Sequence, residues 1–370
     1  MKMTNGQARL LAGIDFREVY PCVCYQTEQM KEPEALPLDF RTCSGRQGMF
    51  RKILSALKKF APKEQLQAAV VLPDTEEETV RLYLKEACEA GFDRGQLQVL
   101  GEAESLVHFT MHQTADIWQQ GVWFLEFGQE EVRATCLKIN RRMTPLLVET
   151  QEPEYWHVGN LLEGSRDERL AETVKERFGK MPVSAVFLTG TDLNAREYRR
   201  SREEICFHRR VFLAEQIYAR GACVAAGDAG KSRAYLFLNE QTLRYNVNIR
   251  SRRAGKEQLY TLISAGCSWY EAKASCEVLL LEEPLLEFVF SSMLGGEPIR
   301  EGLLLTDIPE RPPGAGRLLV EMWFSGPRQC EVKVSDLGFG ELYPASDLYW
   351  KETFWLEEED SYGAGDDLQI

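Results

Sequence analysis

Along the first 230 residues the apolar positions switch between two patterns. Short continuous runs such as Ala68–Leu72 (AAVVL) and Ala185–Leu188 have the character of strands buried on both faces of a sheet. Between them, apolar residues fall at helical spacing: Ile53, Leu54, Leu57 and Phe60 in Arg51–Phe60, then Val80, Leu84 and Ala87, then Asp167–Phe178. The opening segment predicts two strands around a turn, LLAGIDF and VYPCVCYQ, with Arg17 and Glu18 between them. Val122–Phe127 starts a hairpin that Glu131–Ile139 continues, and Val211–Ala226 predicts one helix rich in small residues. Thr75 and Glu78 have the spacing of a capping box, and Gly91 stands where the following helix should stop. Strand and helix in alternation make an α/β domain.

Beyond Gly230 the helical period fades. Leu286, Phe288 and Phe290 share one face of a strand, and Val320, Met322 and Phe324 oppose Leu319, Glu321 and Trp323 on another. Turns are marked at Gly295-Gly296, Pro312-Pro313-Gly314, Gly326-Pro327 and Gly338. This predicts a separate antiparallel β domain. The boundaries expected are 1–232 for the α/β domain, in halves 1–115 and 116–232, then 233–357 for a β-sandwich and 358–370 for an acidic tail.

Composition narrows the function classes. Of 370 residues, 44% are hydrophobic, and 44 Lys and Arg against 57 Asp and Glu leave a formal charge of −13, the wrong sign for a nucleic-acid partner. No apolar run is long enough to span a membrane, and Met1–Leu11 has no signal-peptide core, so a soluble, cytoplasmic protein is expected. The ten cysteines are scattered and expected to be reduced. Cys22 and Cys24 would share a strand face, but no second Cys/His pair stands at ligand spacing, so they read as small core residues. His108 and His112 share a helical face without the Glu of a metalloprotease motif, and a structural role is expected.

Several segments resemble the Hsp70 family, in the superfamily that also holds actin and the sugar kinases. Gly13-Ile14-Asp15 resembles its first phosphate loop, and Ala68–Ser105 is similar throughout to its strand, helix, strand segment ending in Asn-Glu-Pro-Thr. Trp123–Ile139 looks like the second phosphate loop, Val186–Leu193 like the adenosine loop, and Ala214–Gly227 like the closing helix. Leu303–Asp336 resembles two strands of the Hsp70 peptide-binding sandwich. The resemblance implies a minimal actin/Hsp70-like duplicated α/β domain of ribonuclease H-like type, followed by an antiparallel β-sandwich.

It also implies where a nucleotide would sit, and there the chain departs from the family. Phosphate loops use glycines and hydroxyls to bring N–H and O–H donors to oxygens. This sequence has Phe16-Arg17-Glu18 after Asp15, and Gln129-Glu130-Glu131 after Gly128. The residues between Asp15 and Ala68, and between Gly128 and Val186, are too few for the family's inserted cleft-wall subdomains, and no lid helices follow the last strand. Asp15, Glu102 and Glu126 match the family's acidic residues and are remnant candidates for a carboxylate trio able to hold Mg²⁺. Gly13, Gly128, Gly190 and Gly221 are weak nucleotide-contact candidates.

Tyr235–Leu238 resembles the interdomain linker. At the place of the first peptide-clamping loop stand Arg250, Arg252, Arg253 and Lys256, a basic turn that could meet an acidic partner segment. The leading expectation is a non-catalytic Hsp70-like scaffold or chaperone accessory that needs no cofactor and binds a protein or peptide. The alternatives are an ATPase with ATP and Mg²⁺ at an altered site, and an actin-like assembly protein.

Overall fold

The structure is a computed structural model that describes residues 10–142, 145–159, 165–179, 182–190, 198–228, 234–238, 242–253, 255–281, 283–293 and 295–356. The chain divides into two compact units, Met1–Phe237 and Leu238–Ile370. The expected acidic tail, the end of the adenosine-loop match (residues 191–193) and Ala254 lie outside the described residues.

The first unit repeats one sheet order twice. Its first half runs β1 (Leu10–Asp15), β2 (Cys22–Thr27), β3 (Glu34–Ala35), α1 (Gly45–Leu57), β4 (Leu66–Val71), α2 (Glu77–Ala90), β5 (Leu97–Leu100), α3 (Glu102–His112) and α4 (Ala115–Trp118). The sheet order is β3-β2-β1-β4-β5, with β1 antiparallel to β2 and parallel to β4. The second half runs β6 (Val122–Phe127), β7 (Glu131–Asn140), β8 (Leu146–Thr150), β9 (Glu154–His157), α5 (Arg166–Phe178), β10 (Ala185–Gly190), α6 (Arg199–Cys206), β11 (Arg210–Leu213), α7 (Ile217–Asp228) and β12 (Tyr235–Leu238). Read from β8, its order β8-β7-β6-β10-β11 is that of the first half, with the same strand directions at β6–β7 and β6–β10. β12 pairs with β8 and Phe237 enters the core, so this α/β unit runs past residue 232, where its end was expected.

Local sequence explains most of these elements. β4 buries all but one of its side chains, as a central strand covered on both faces does. α1 starts at Gly45, ahead of the expected Arg51, and buries Met49, Phe50, Ile53, Leu54 and Leu57 along one stripe. Gly91 ends α2 at φ +109, a left-handed conformation that glycine adopts without strain. Two expectations are corrected. Thr75 and Glu78 form no capping box, because the helix begins at Glu77 with Glu76 as its N-cap, whose N–H instead reaches the Asp74 carboxylate at 3.1 Å. Val211–Ala226 is not one helix: Arg210–Leu213 pairs parallel with β10, and Gln216 at φ +52 separates it from α7.

The two halves share an apolar core, in which Val71, Leu100 and Leu106 meet Phe124, Phe187 and Ala222. α7 packs against α3 and β1 at very short range. A Cβ built on Gly221 would lie 2.0 Å from the Ser105 carbonyl oxygen, and one on Gly13 would lie 1.9 Å from that of Ala219.

The second unit holds two four-stranded antiparallel sheets. These are built from β13 (Tyr245–Arg253), β14 (Lys256–Ile263), β15 (Lys273–Leu280), β16 (Leu285–Ser292), β17 (Ile299–Leu304), β18 (Gly316–Gly326), β19 (Gln329–Asp336) and β20 (Tyr349–Trp355). The orders are β14-β13-β16-β17 and β15-β18-β19-β20. Val247, Ile249, Phe288 and Phe290 of one sheet pack on Leu318, Val320, Met322, Val334 and Phe354 of the other. Phe354 lies 5.6 Å from Phe288 and 5.9 Å from Phe290, which closes the sandwich core. The fold class is thus a duplicated α/β domain followed by an antiparallel β-sandwich.

Candidate functional site

At the carboxyl ends of β1 and β6 the three carboxylates singled out in the sequence come together. Asp15 closes β1, Glu126 is the penultimate residue of β6, and Glu102 opens α3. What they surround is arginine. Arg17 Nε lies 3.1 Å from Asp15 Oδ1, and its Nη1 lies 3.3 Å from Glu102 Oε1 and 3.8 Å from Glu126 Oε2. Arg133 Nη2 pairs with Glu102 Oε2, and its Nη1 lies 3.4 Å from Glu126 Oε2. The Arg17 guanidinium stacks over the Tyr218 ring at 3.2 Å, and Arg133 Nη1 donates to the Tyr218 hydroxyl at 3.2 Å.

The electrostatics follow from burial. Loss of water pushes the Asp15 carboxyl up, against the pull of Arg17, and the Tyr218 phenol is likewise raised by burial. Burial opposes charge on both arginines, yet Asp15 and Tyr218 at Arg17, and Tyr218 and Glu102 at Arg133, hold each guanidinium above its ordinary value. Three carboxylates against two guanidiniums leave one net negative charge. Among the described residues, no group of three His, Cys, Asp or Glu side chains is placed to hold a metal ion.

In the two loops singled out in the sequence, several backbone groups are hydrogen-bonded within the chain. Phe16 N–H donates to the Val71 carbonyl at 2.9 Å, and Arg17 N–H donates to Asp15 Oδ1 at 3.1 Å. Phe16 itself is buried, 4.7 Å from Phe50 and 5.5 Å from Tyr83 between ring centroids. In the second loop, Gly128 N–H closes a turn onto the Glu131 carbonyl at 3.0 Å. The carbonyls of Gln129 and Gly128 accept from the buried Arg166 guanidinium at 2.6 and 2.7 Å.

Three of the four candidate glycines meet close packing. Gly13 and Gly221 sit where α7 approaches β1 and α3, and Gly190, at φ +113, lies where a Cβ would come within 2.4 Å of the Phe127 carbonyl oxygen. Gly128 occupies the turn just described. The segments between the two loops and the next central strands are spent on β2, β3 and α1 in one half, and on β7, β8, β9 and α5 in the other. Cys24 and Cys223 are buried in a small cluster beside Cys22, with the Cys24 thiol pushed up to about 12 by burial, and none of the ten cysteines is in a disulfide. His108 is buried and its Nδ1 lies 3.1 Å from the Tyr235 hydroxyl, while His112 is exposed at the helix end.

In the sandwich, Arg250 and Arg252 lie on β13 and Lys256 opens β14, so the basic cluster is part of a hairpin surface. Arg250 is bound internally, at 2.8 Å to Glu257 and 2.7 Å to Glu287. Beside it opens a cavity of about 810 Å³ contributed by β13, β14, β15 and β16, whose lining includes Arg252, Tyr260, Leu279, Leu281 and Leu285. β14 and β15 are edge strands of their sheets.

Arg17, Arg133, Tyr218 and Arg166 were not among the residues picked from sequence. Arg133 was within reach: a turn over Gly128–Glu131 places it directly across the hairpin from Glu126. Arg17 carried a weaker signal, an arginine where a phosphate loop places glycine.

No curated protein matches the sequence. Among solved structures, the chain is similar to Leishmania braziliensis glucokinase at 10% identity and TM-score 0.38, covering 59% of this chain and 93% of that one. A Bacteroides thetaiotaomicron protein with an actin-like ATPase fold and unknown function gives 9% identity and TM-score 0.32, covering 62% and 100%. The Aquifex aeolicus member of the Ppx/GppA family gives 13% and 0.28, covering 49% and 66%. Residues 242–356 match a domain of unknown function (DUF8552). Residues 47–240, more than half the chain, match the family of unknown function (DUF5716) C-terminal, and the chain belongs to that family.

Proposed function

We propose that this chain is a nucleotide-free, Hsp70-like scaffold of the cytoplasm that holds an extended segment of a partner protein. The observation that carries the first part is the pair of guanidiniums among Asp15, Glu102 and Glu126. A divalent cation and a triphosphate would have to displace two largely buried, multiply bonded arginines, at loops where the N–H groups of Phe16, Arg17 and Gly128 are already hydrogen-bonded within the chain. No cofactor is needed for such a role.

Support for the partner-binding part comes from the sandwich cavity. Edge strands offer unpaired backbone groups to an extended peptide, and the side chains beside them set its character. Leu279, Leu281, Tyr260 and Leu285 are well exposed there. Arg250 is already neutralised, and Glu277 and Glu283 also line the cavity, so the occupant this favours is apolar and not acidic.

Calorimetry of the full chain with Mg-ATP tests the first part. No heat of binding is expected; micromolar binding that disappears in Asp15→Ala would establish the ATPase reading instead. Pull-down from native lysate tests the second. The full chain should capture a specific protein that Leu279→Glu/Leu281→Glu fails to capture, and equal capture by both removes the cavity from the account.

A further inference from the structure

The two halves of the first unit are joined in two chemically different ways. On the side of α3 and α7 the joint is apolar and close-packed, with Gly221 against Ser105 and a shared core. At the carboxyl ends of β1 and β6 it is ionic. Arg17, from the first half, reaches Glu126 and lies on the Tyr218 ring of the second. Arg133, from the second half, pairs with Glu102 of the first. The reach is reciprocal: each half donates one guanidinium to a carboxylate of the other.

Side chains that only balanced local charge would need no such exchange. Arg133 has Glu126 directly across its own hairpin and Arg17 has Asp15 two residues away, yet both extend to the opposite half. The four charged side chains that cross or receive the crossing are half-buried or better, with 13% of Arg17 and 19% of Arg133 exposed, so water screens them weakly.

We propose that Arg17 and Arg133 form a reciprocal latch that holds the two halves of the α/β unit closed on each other without any bound ligand. This goes beyond the scaffold reading and stands whether or not the sandwich takes a partner. Removing Arg133 leaves Arg17 alone against Asp15, Glu102 and Glu126, carboxylates drawn from both halves, which is costlier than removing the arginine together with Glu102.

The test is hydrogen exchange and thermal unfolding of the full chain. Arg133→Met should lower the melting temperature of the α/β unit by about 8 °C. It should also speed amide exchange by about tenfold or more on both sides of the joint, in the second turns of α3 and α7, where N–H groups from Ser105 and Arg220 onward are hydrogen-bonded. Arg133→Met/Glu102→Gln should recover part of that loss, and Arg133→Lys, which keeps the charge without the fork, should fall between and keeps the test open if Arg133→Met does not fold. Faster exchange confined to β7, or melting temperatures within about 1 °C of the wild type, overturns the latch.

Discussion

Gly221 and Gly48 are both helical glycines, and they should respond to the same substitution in opposite directions. At Gly221 an added methyl group meets the Ser105 backbone at 2.0 Å, which neither helix can yield without moving. Gly221→Ala should therefore cost about 3 kcal/mol in urea denaturation. At Gly48, inside α1, the nearest atom to such a methyl group is 3.6 Å away, an ordinary contact. Gly48→Ala should stabilise by about 0.5–1 kcal/mol through the helix preference for alanine. The same contrast shows how much of the site was legible. Acidic residues announced themselves because Asp15, Glu102 and Glu126 stand in recognisable surroundings. Their arginine partners within one half were in reach of sequence spacing, Asp15 for Arg17 and Glu126 for Arg133, but the contacts across the halves were not, because a long side chain reaches residues that spacing cannot bring together. Glycine was ambiguous for another reason: close helix packing and phosphate approach both demand the missing Cβ, and only geometry tells them apart.

Elements were legible where a period ran long enough to be counted. α2, α5, β4, β6, β7 and β10 appear close to where apolar spacing placed them, and α1 overlaps its expected span but starts at Gly45 and stops at Leu57. β11 was lost because Val211-Phe212-Leu213 is too short to show a period, and its pairing with β10 is a tertiary fact. The sandwich strands offer a sharper test of element-level reasoning through Asp336, at the end of β19. Its carboxylate is buried, takes a two-pronged contact from Arg311 at 2.6 and 2.7 Å, and accepts from Ser346 N–H and Oγ and from Gly338 N–H. It thereby ties the loops before β18 and after β19 to the sheet. Burial alone would raise this carboxyl, but Arg311 and Ser346 outweigh it and hold it well below the usual carboxylate range. A carboxyl depressed in the folded state contributes stability that is present above its unfolded value, near 3.9, and is lost as pH falls through the folded one. Sandwich unfolding followed by tryptophan fluorescence should show that acid loss below about pH 4, and Asp336→Asn should flatten the profile while costing about 3 kcal/mol at pH 7.

At the scale of the whole molecule, cysteine chemistry separates buried from reachable thiols. None of the ten is in a disulfide, Cys206 is exposed, and burial raises the thiols of Cys24, Cys136 and Cys330 to about 12. A thiol reagent should therefore modify Cys206 first in the native protein and all ten in denaturant; a denatured count below ten would contradict the free-cysteine assignment. No helix among the described residues is long and apolar enough to cross a membrane.

The arginines at the ends of β1 and β6 have one more consequence. A diffusible occupant is present only in proportion to its concentration, and it can be diluted, competed away or exchanged. Arg17 and Arg133 are tethered to the strands they serve, so their local concentration is fixed by chain geometry and does not fall when the protein is diluted. A joint made of side chains alone responds to changes in acidity or ionic strength, which act on its charges directly, whatever else the protein binds.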